Sequence, residues 1–447
     1  MELKKYKLGE ILDVIRGASL SGEFYATEGE YIRLTCGNFD YQNNCFKENK
    51  SKDNLYYTGD FRSEFLMEKG DIITPLTEQA IGLLGSTAII PESGKYIQSQ
   101  DVAKIICKED LLDKDFAFYL ISSTLVKQQL SAAAQQTKIR HTSPDKIKDC
   151  TVWIPELAEQ KRISKLLRSL DCKIGLNRAI NQNLEALAKQ LYDYWFVQFD
   201  FPDENGRPYK SSGGKMVWND KLKREIPEGW DDGILIDIAN ITMGQSPDGS
   251  SYNEVGEGML FYQGSTDFGM RFPSVRQYTT APSRFAKKGD ILMSVRAPVG
   301  SINIANNDCC IGRGLSAINS KLGSISHLYY ILNDLRIAFD QRNAAGTTFG
   351  SITKEDLYSL PIIIPSDEVI RAFDKICSPM FDRQMILGEE IDILTKQRDE
   401  LLPHLMNGQV SVNSDLSVCI NLIIRTTTRI CSYSNDLFWS YLRIVFL

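Results

Sequence analysis

The sequence predicts an α+β protein in which two mixed α/β domains are separated by a long antiparallel two-helix coiled coil, with an internal pseudo-twofold repeat. Three observations predict this fold class. The chain repeats itself in its two halves, each half begins with short β-type segments, and each half continues into a long stretch of heptad spacing. Each half should therefore hold a globular part and a helical part.

The repeat identifies which parts of the two halves correspond. The segment LGEILDVIRGAS (8–19) recurs as LIDIANITMGQS (235–246) at a shift of 227 residues, and KGDII recurs as KGDIL at a shift of 219. The stretch 137–191 maps onto 347–401 at a shift of 210. Because the shift decreases along the chain, the first half carries longer insertions, and these lie in its globular part.

Length and composition are those of a folded protein with more than one domain. The chain has 447 residues, of which 43% are hydrophobic and 24% charged, enough for two or three separate cores. The net charge is −6. An acidic total does not exclude nucleic acid, because phosphate binding depends on where the basic residues lie.

Cysteine and histidine usage argues against metal sites and disulfides. The ten cysteines form no CxxC pair, and only three histidines are present. We therefore expect no metal site, and we interpret the cysteines as small core residues of a cytoplasmic protein. We expect no membrane contact, since no apolar stretch of about 18 residues is present and the N-terminus lacks the apolar region of a signal peptide.

The two globular parts are predicted at 1–152 and 231–362. In the first, YIRLTC, GDIITPL, STAIIP and VAKIIC are predicted strands, and a helix should follow at 112–130. In the second, GDILMSV and GSINIA are predicted strands, followed by a helix at 326–339. Each part is predicted to be a mixed α and β unit.

The helical parts are predicted at 153–198 and 363–408, with a 3-4 apolar spacing sustained over about five heptads. The two helices should pack antiparallel as a rod of roughly 50 to 60 Å. Pro379 should kink the second helix or delay its start to about Met380. Three polar seam residues should either fix the register or lie on a solvated edge: Asn177, Asn181 and Gln384. The first seam consists of Ile163, Leu167, Leu170, Ile174, Asn177, Asn181, Leu184, Ala188, Leu191 and Trp195, and the second of the residues 210 positions later.

Two segments lie outside the repeat. The stretch 199–230 is rich in Pro, Gly, Ser and charged residues, which indicates a linker. The stretch 409–447 forms an atypical C-terminal tail, because its apolar residues have no clean period and it has no counterpart in the first half.

Motifs of several enzyme classes are missing from the sequence. It contains no GxxxxGK[ST] phosphate loop, no dinucleotide-binding glycine turn and no [DNS]PP[YFW] tetrapeptide of amino-methylating enzymes. His141, His327 and His404 lie in unrelated settings, so we predict no catalytic residues. Adjacent Cys309 and Cys310 fit a strand better than a pair of nucleophiles. A self-contained methyltransferase or nuclease with degenerate motifs stays as an alternative.

Two kinds of loop carry side chains suited to nucleic acid. The loop QQTKIRHTSPDKIK holds Lys138 and Arg140, which suit phosphate and base-edge contacts, although a solvated turn explains them too. SVRAPVGS, after the second KGD strand, places Arg296 where it could contact guanine or cap a local carboxylate. At that place the first half has PLTEQAIG, with Thr77 and Gln79. Different polar side chains at one position suit two readers of different sequences, with neutral drift as the alternative.

Four segments carry a family resemblance: VWIPELAEQKRISKLLRSLD (152–171), ALAKQLYDYWFVQFDFP (186–202), the YKSSGGKMVW…REIPEGW stretch and LLPHLMNGQV (401–410). From about residue 3 to residue 410 the chain resembles the specificity subunit of type I restriction-modification systems. The resemblance implies two target recognition domains alternating with two helical conserved regions, and a binding role without catalysis.

The resemblance also implies partners and cofactors. Each target recognition domain would read one half of a split double-stranded DNA site, and the helical rod would set the gap and dock two methylation subunits. S-adenosylmethionine would bind the methylation subunits and ATP the restriction subunits, with no cofactor in this chain. A structural adaptor that binds only proteins is a further alternative. Because family members usually end soon after a sequence like MNGQV, we expect the tail to be a product of gene rearrangement or an extra docking strand.

Candidate contact residues follow from side-chain chemistry and loop placement. We predict DNA contacts at ten residues, namely Arg16, Thr77, Gln79, Lys138, Arg140, Gln245, Ser246, Arg271, Arg296 and Arg342. Docking of the methylation subunits is predicted at four apolar residues outside the seam, which could equally pack within the rod: Leu166, Leu187, Tyr192 and Phe196.

Overall fold

The chain forms two units in a computed structural model that describes residues 2–50, 53–78, 82–133, 140–344 and 351–412. Unit 1 comprises Met1–Ile174 and Leu394–Leu447, and unit 2 comprises Gly175–Ile393. The predicted tail lies outside the described residues from position 413 onward.

Unit 1 is a mixed α/β unit of short strands and five helices within the described ranges. Its strands are β1 Lys4–Lys7, β2 Leu12–Arg16, β3 Tyr25–Ala26, β4 Tyr31–Arg33, β5 Phe39–Asp40, β6 Cys45–Phe46, β7 Tyr56–Tyr57, β8 Ile72–Pro75, β9 Thr77–Glu78, β10 Ala88–Ile89, β11 Tyr96–Ile97, β12 Val102–Cys107, β13 Arg140–His141 and β14 Thr151–Ile154. Its helices are α1 Leu8–Ile11, α2 Lys114–Ile121, α3 Thr124–Ala133, α4 Pro144–Lys148 and the start of α5 Leu157–Tyr192.

Unit 2 repeats this plan. Its strands are β15 Met216–Asn219, β16 Arg224–Pro227, β17 Asp231–Ile234, β18 Ala239–Met243, β19 Tyr252–Asn253, β20 Met259–Tyr262, β21 Tyr278–Thr279, β22 Phe285–Ala286, β23 Ile291–Ser294, β24 Ile302–Ile304, β25 Cys309–Ile311, β26 Leu315–Ser320 and β27 Pro361–Ile364. Its helices are α6 Leu235–Ile238, α7 Ile325–Ala344, α8 Lys354–Tyr358 and most of α9 Asp367–Met406.

One four-stranded sheet has the same strand order in both units. In unit 1 the order is β10-β8-β12-β2, and in unit 2 it is β24-β23-β26-β18, so the strand after each KGD segment is central. Strand β1 pairs antiparallel with β14, which precedes α5, and β17 pairs in the same way with β27, which precedes α9. The predicted strands are confirmed, including the placement of Cys309 and Cys310 in β25.

The helix predicted at 112–130 is instead two helices, α2 and α3. Ser122 and Ser123 lie at the break, and the Ser122 hydroxyl donates to the backbone carbonyls of Phe118 and Tyr119. Such local side-chain bonds compete with helix continuation. The second predicted helix, at 326–339, lies within the single helix α7.

Helix α9 corrects the prediction for Pro379. The helix starts at Asp367 rather than near Met380, and it runs through the exposed Pro379 without a break. Ile370 and Phe373 are buried ahead of the proline, at 2% and 0% exposure. Burial of this apolar face stabilises the first turns despite the missing N–H of Pro379.

The polar seam residues are buried, so the solvated-edge interpretation is wrong. In unit 2 the side-chain amide of Gln384 donates to the backbone carbonyl of Asn181 at 3.2 Å, and the amide of Asn181 donates to the carbonyl of Gln384 at 3.4 Å. Asn177 donates to the Glu390 carboxylate at 2.9 Å. Within unit 2, α5 and α9 therefore run in opposite directions.

The segment predicted as a linker folds onto unit 2. It contains the antiparallel pair β15–β16, and its aromatic residues enter the unit 2 core. Phe201 stacks on Trp230 with ring centroids 5.0 Å apart, and Phe199 and Trp230 meet edge to face at 5.6 Å. Composition alone did not reveal these contacts, because turn residues outnumber the aromatic ones.

A buried serine–aspartate hydrogen bond joins each globular part to its long helix, with the two roles exchanged between the units. In unit 1 Asp113 caps α2, and the hydroxyl of Ser164 on α5 donates to its carboxylate at 2.8 Å. In unit 2 Ser324 precedes α7 and donates to the carboxylate of Asp374 on α9 at 2.7 Å. Asp374 lies 210 positions after Ser164, the shift of the helical repeat.

Searched over its described residues, the chain has no helix that combines the length and the apolar character needed to cross a membrane.

Candidate nucleic-acid interface

Two loops that are distant in sequence lie side by side in unit 1. Strand β9, which follows the KGD strand, pairs antiparallel with β13, so that Thr77 lies opposite His141. The backbone N–H of Thr142 then donates to the carbonyl of Leu76 at 2.9 Å. The loop after the KGD strand and the loop before the long helix therefore form one surface.

Unit 2 has the same arrangement. Arg296 forms an antiparallel bridge with Ser351, and the N–H of Ile352 donates to the carbonyl of Val295 at 2.9 Å. Arg296 follows Val295 as Thr77 follows Leu76. Matching backbone hydrogen bonds make Arg296 the equivalent of Thr77, and Ser351 the equivalent of His141.

A third segment completes this frame in both units. The N–H of Leu76 donates to the carbonyl of Asp101 at 2.8 Å, just before β12. In unit 2 the N–H of Val295 donates to the carbonyl of Gly314 at 2.9 Å, just before β26. We call these three meeting segments the reading frame of each unit: 76–77, 101 and 141–142 in unit 1, and 295–296, 314 and 351–352 in unit 2.

The side chains on the two frames differ in hydrogen-bonding character. In unit 1 the Thr77 hydroxyl lies 3.3 Å from the Asp101 carboxylate, to which it donates, and 3.4 Å from Nδ1 of the exposed His141. Unit 2 presents the exposed Arg296 and Ser351 at the corresponding places. Carboxylate, hydroxyl and imidazole offer donors and acceptors, whereas a guanidinium only donates. The two frames therefore present different sets of hydrogen-bonding groups.

Close backbone approach fixes the end of strand β2 in unit 1 and of strand β18 in unit 2. A Cβ on Gly17 would lie 2.3 Å from the carbonyl oxygen of Ser99, and one on Gly244 would lie 2.1 Å from that of Gly312. Only glycine fits at such distances. These glycines bring the predicted residues Arg16, Gln245 and Ser246 next to the frame segments that precede β12 in unit 1 and β26 in unit 2.

Three predicted DNA contacts lie at the ends of β2 and β18. Arg16 is exposed, and its Nε donates to the carbonyl of Gln100 at 2.9 Å. Gln245 is exposed, and its N–H bonds the carbonyl of Ile311 at 3.0 Å. The hydroxyl of Ser246 accepts from the N–H of Arg313 at 3.2 Å, so its oxygen is partly engaged.

Arg271 occupies a different environment from the other predicted contacts. It is 7% exposed, and its guanidinium donates to the Glu185 carboxylate on α5 at 2.7 Å. It also lies 4.6 Å from the ring centroid of Tyr329 and 4.3 Å from that of Phe381. A guanidinium that is buried and paired in this way cannot reach a base or phosphate without leaving these contacts, so the structure assigns Arg271 to packing within unit 2.

Four predicted DNA contacts are described in part or not at all. Gln79 and Lys138 lie outside the described residues. Arg140 is in β13 and Arg342 is in α7, but the described part of the structure does not extend to their side chains. They stay predictions.

The docking candidates divide into two groups. Leu166 and Leu187 are half-buried on α5. Tyr192 and Phe196 are both 6% exposed and belong to the unit 2 core, where Phe196 lies 4.5 Å from the His327 ring. For the second pair, core packing is the alternative that the structure supports.

Two exposed arginines beside the unit 2 frame were missed by the sequence prediction. Arg313 lies between Gly312 and Gly314, and the carbonyl of Arg284 accepts from the N–H of Ile311 at 2.9 Å. The glycines flanking Arg313 were the signal that could have identified it, because they indicate close backbone approach at an exposed charge.

The residues that the structure describes offer no metal site. They contain no cluster of His, Cys, Asp and Glu side chains that could hold a metal ion. A cavity of about 220 Å³ in unit 2 is lined by Tyr192, Trp230 and His327 among others. Burial lowers the pKa of His327 to about 3, so this ring is neutral at pH 7 and packs as an aromatic side chain.

Comparison with known proteins identifies a family. The family model described as the type I restriction modification DNA specificity domain matches residues 1–186 and 227–395. A Methanocaldococcus jannaschii protein assigned as the MjaX specificity subunit of a type I restriction enzyme is 33% identical over 292 residues, covering 63% of this chain and 64% of the relative. The MjaIX specificity subunit of the same organism is 25% identical over 332 residues, covering 70% of this chain and 73% of that protein.

A solved structure has the same fold. The S subunit of a type I restriction-modification system from M. genitalium superposes with a TM-score of 0.59 at 16% sequence identity, covering 91% of this chain and 96% of that one. The mixed α/β architecture with two matched regions is therefore that of the family.

Proposed function

The chain belongs to the family of type I restriction-modification DNA specificity subunits, and we propose that it selects the DNA sequence on which such a complex acts. The main support within the molecule is the pair of reading frames. Identical backbone hydrogen bonds hold Thr77 and His141 in unit 1 and Arg296 and Ser351 in unit 2. Each unit would read one half of a bipartite site with its own set of side chains.

The long helices would serve as the spacer. Helices α5 and α9, of 36 and 40 residues, have a sustained heptad pattern, and the amide pair Asn181–Gln384 supports an antiparallel coiled coil. A rod of this kind would set the unspecified gap between the two half-sites. Half-sites about one helical turn of DNA apart would match two readers related by a pseudo-twofold axis.

Catalysis would belong to partner subunits. Two methylation subunits carrying S-adenosylmethionine would dock on the helical regions, with Leu166 and Leu187 as candidate contacts. Restriction subunits would supply ATP-driven chemistry in the full complex. Because its substrate is cellular DNA, the complex would act in the cytoplasm.

The test combines methylation mapping with half-site variants. Mapping of the host genome should reveal one bipartite methylated motif, and the complex of this chain with its methylation subunits should bind that duplex in preference to random competitor. Arg296→Ala should relax selection in one half-site, and His141→Gln in the other. Absence of duplex binding with the methylation subunits present would refute the proposal, and methyl transfer by the chain alone would favour the enzyme alternative.

A further inference from the structure

Two exposed arginines flank the reading frame of unit 2. Arg313 directly precedes Gly314, whose carbonyl accepts the frame hydrogen bond from Val295. Arg284 is held close by, because its carbonyl accepts from the N–H of Ile311, two residues before Arg313. Both side chains are exposed and lie on the same group of loops as Arg296.

Arg284 and Arg313 form no salt bridge with any described residue, in contrast to some other exposed arginines of unit 2. Arg207 pairs with Asp203 at 3.2 Å, and Arg371 pairs with Asp367 at 3.3 Å. A bound anion would compensate the charge of these unpaired guanidinium groups. A guanidinium fork binds phosphate oxygens in a bidentate manner.

Unit 1 lacks both arginines at the equivalent backbone positions. The carbonyl of Phe65 accepts from the N–H of Gln98 at 2.9 Å, the bond that corresponds to Arg284–Ile311. Gln100, two residues after Gln98, stands at the position of Arg313. One of these side chains is apolar and the other is an amide, so neither of the two equivalent positions in unit 1 carries a basic group.

We propose that Arg284 and Arg313 form a clamp for the backbone phosphates of the DNA half-site that unit 2 reads. The inference rests on the proposed function and deepens it, because it assigns different roles in DNA binding to the two units. Unit 2 supplies salt-dependent affinity through the clamp, and Arg296 in a neighbouring loop is left to contact bases. Unit 1 selects its half-site without an equivalent clamp.

Salt dependence tests the clamp directly. The complex of the full chain with its methylation subunits is titrated with cognate and random duplex by fluorescence anisotropy between 50 and 200 mM KCl. Each phosphate contact releases counterions and contributes about −0.9 to the slope of log affinity against log salt. Arg284→Gln and Arg313→Gln should each make this slope shallower by about one, and the double variant by about two. The ratio of cognate to random affinity should stay unchanged.

The paired arginine Arg207 is the matched control, and Arg207→Gln should leave the slope unchanged. Gln100→Arg in unit 1 should increase the slope by about one, which tests the equivalence in the opposite direction without removing any native contact. An unchanged slope in the double variant overturns the clamp, as does a loss confined to the cognate duplex. If the wild-type complex binds no duplex at any salt concentration, the proposed function itself fails.

Discussion

The exchanged serine–aspartate pairs predict that Ser164→Asp destabilises unit 1. Ser164 is 4% exposed, and its hydroxyl lies 2.8 Å from the Asp113 carboxylate. An aspartate at this position would put two carboxylates about 4 Å apart. At an effective dielectric constant of about 20, two unit charges at that distance repel by about 4 kcal/mol. We expect the free energy of unfolding to fall by about 3 kcal/mol at pH 7, because partial protonation of one carboxyl relieves part of the repulsion.

The second unit provides the design of the rescue. Asp113→Ser combined with Ser164→Asp reproduces the arrangement of Ser324 and Asp374, in which the cap is the donor and the long helix carries the carboxylate. The double variant should recover to within about 1 kcal/mol of the wild type, the usual cost of altering a helix cap.

Hydrogen exchange of α2 and urea unfolding of the full chain measure these effects. The single variant should lose protection in α2 at pH 7 and regain part of it near pH 4, where one carboxyl is protonated. Gln182→Asp, at an exposed position of α5, the helix that carries Ser164, serves as the control. It should change stability by less than about 0.5 kcal/mol. A double variant no more stable than Ser164→Asp alone would refute the reasoning.

Three further predictions concern unit 2. Arg271→Met leaves a carboxylate partner that is 36% exposed, so the loss in urea unfolding should be about 2 kcal/mol, below the 3 to 5 kcal/mol of a fully buried pair, and Arg271→Lys should restore only part of it. Burial lowers the pKa of His327 to about 3, so between pH 3 and 6.5 the unfolded chain binds a proton that the folded chain does not, and stability falls as the pH decreases through this window. His327→Gln should flatten the pH dependence by up to about 1.4 kcal/mol per pH unit. Gly244→Ala should lower the thermal midpoint and weaken DNA binding because its Cβ would lie 2.1 Å from a carbonyl oxygen, whereas Gly249→Ala, with no atom within 4 Å, should do neither.

Local sequence pattern predicted the strands and long helices well, because their apolar residues are periodic and each is bounded by turn residues. It failed where a contact between distant segments decides the outcome. Pro379 did not delay α9, since Ile370 and Phe373 are buried ahead of it. The aromatic residues of the predicted linker could be assigned to the core only once their partners in unit 2 were known.

For the candidate site too, the sequence predicted some positions correctly and others not. Thr77 and Arg296 were predicted as equivalent because both follow the KGD strand, and matching backbone bonds hold both in place. Arg271 could not be separated from the other loop arginines, because its environment depends on Glu185, which is distant in sequence. Exposure of an arginine in a loop is set by tertiary contacts that side-chain chemistry alone does not reveal.

The three segments of each reading frame are joined by main-chain hydrogen bonds, which do not depend on the side chains that the frame presents. The bonds from Leu76 and Val295 to the carbonyls of Asp101 and Gly314 use no side-chain atom. Under the proposed function, substitutions at the exposed His141, Arg296 and Ser351 are expected to alter base preference while these backbone bonds stay in place. Such positions suit saturation libraries, and a new specificity would be accessible by few mutations without passing through misfolded intermediates.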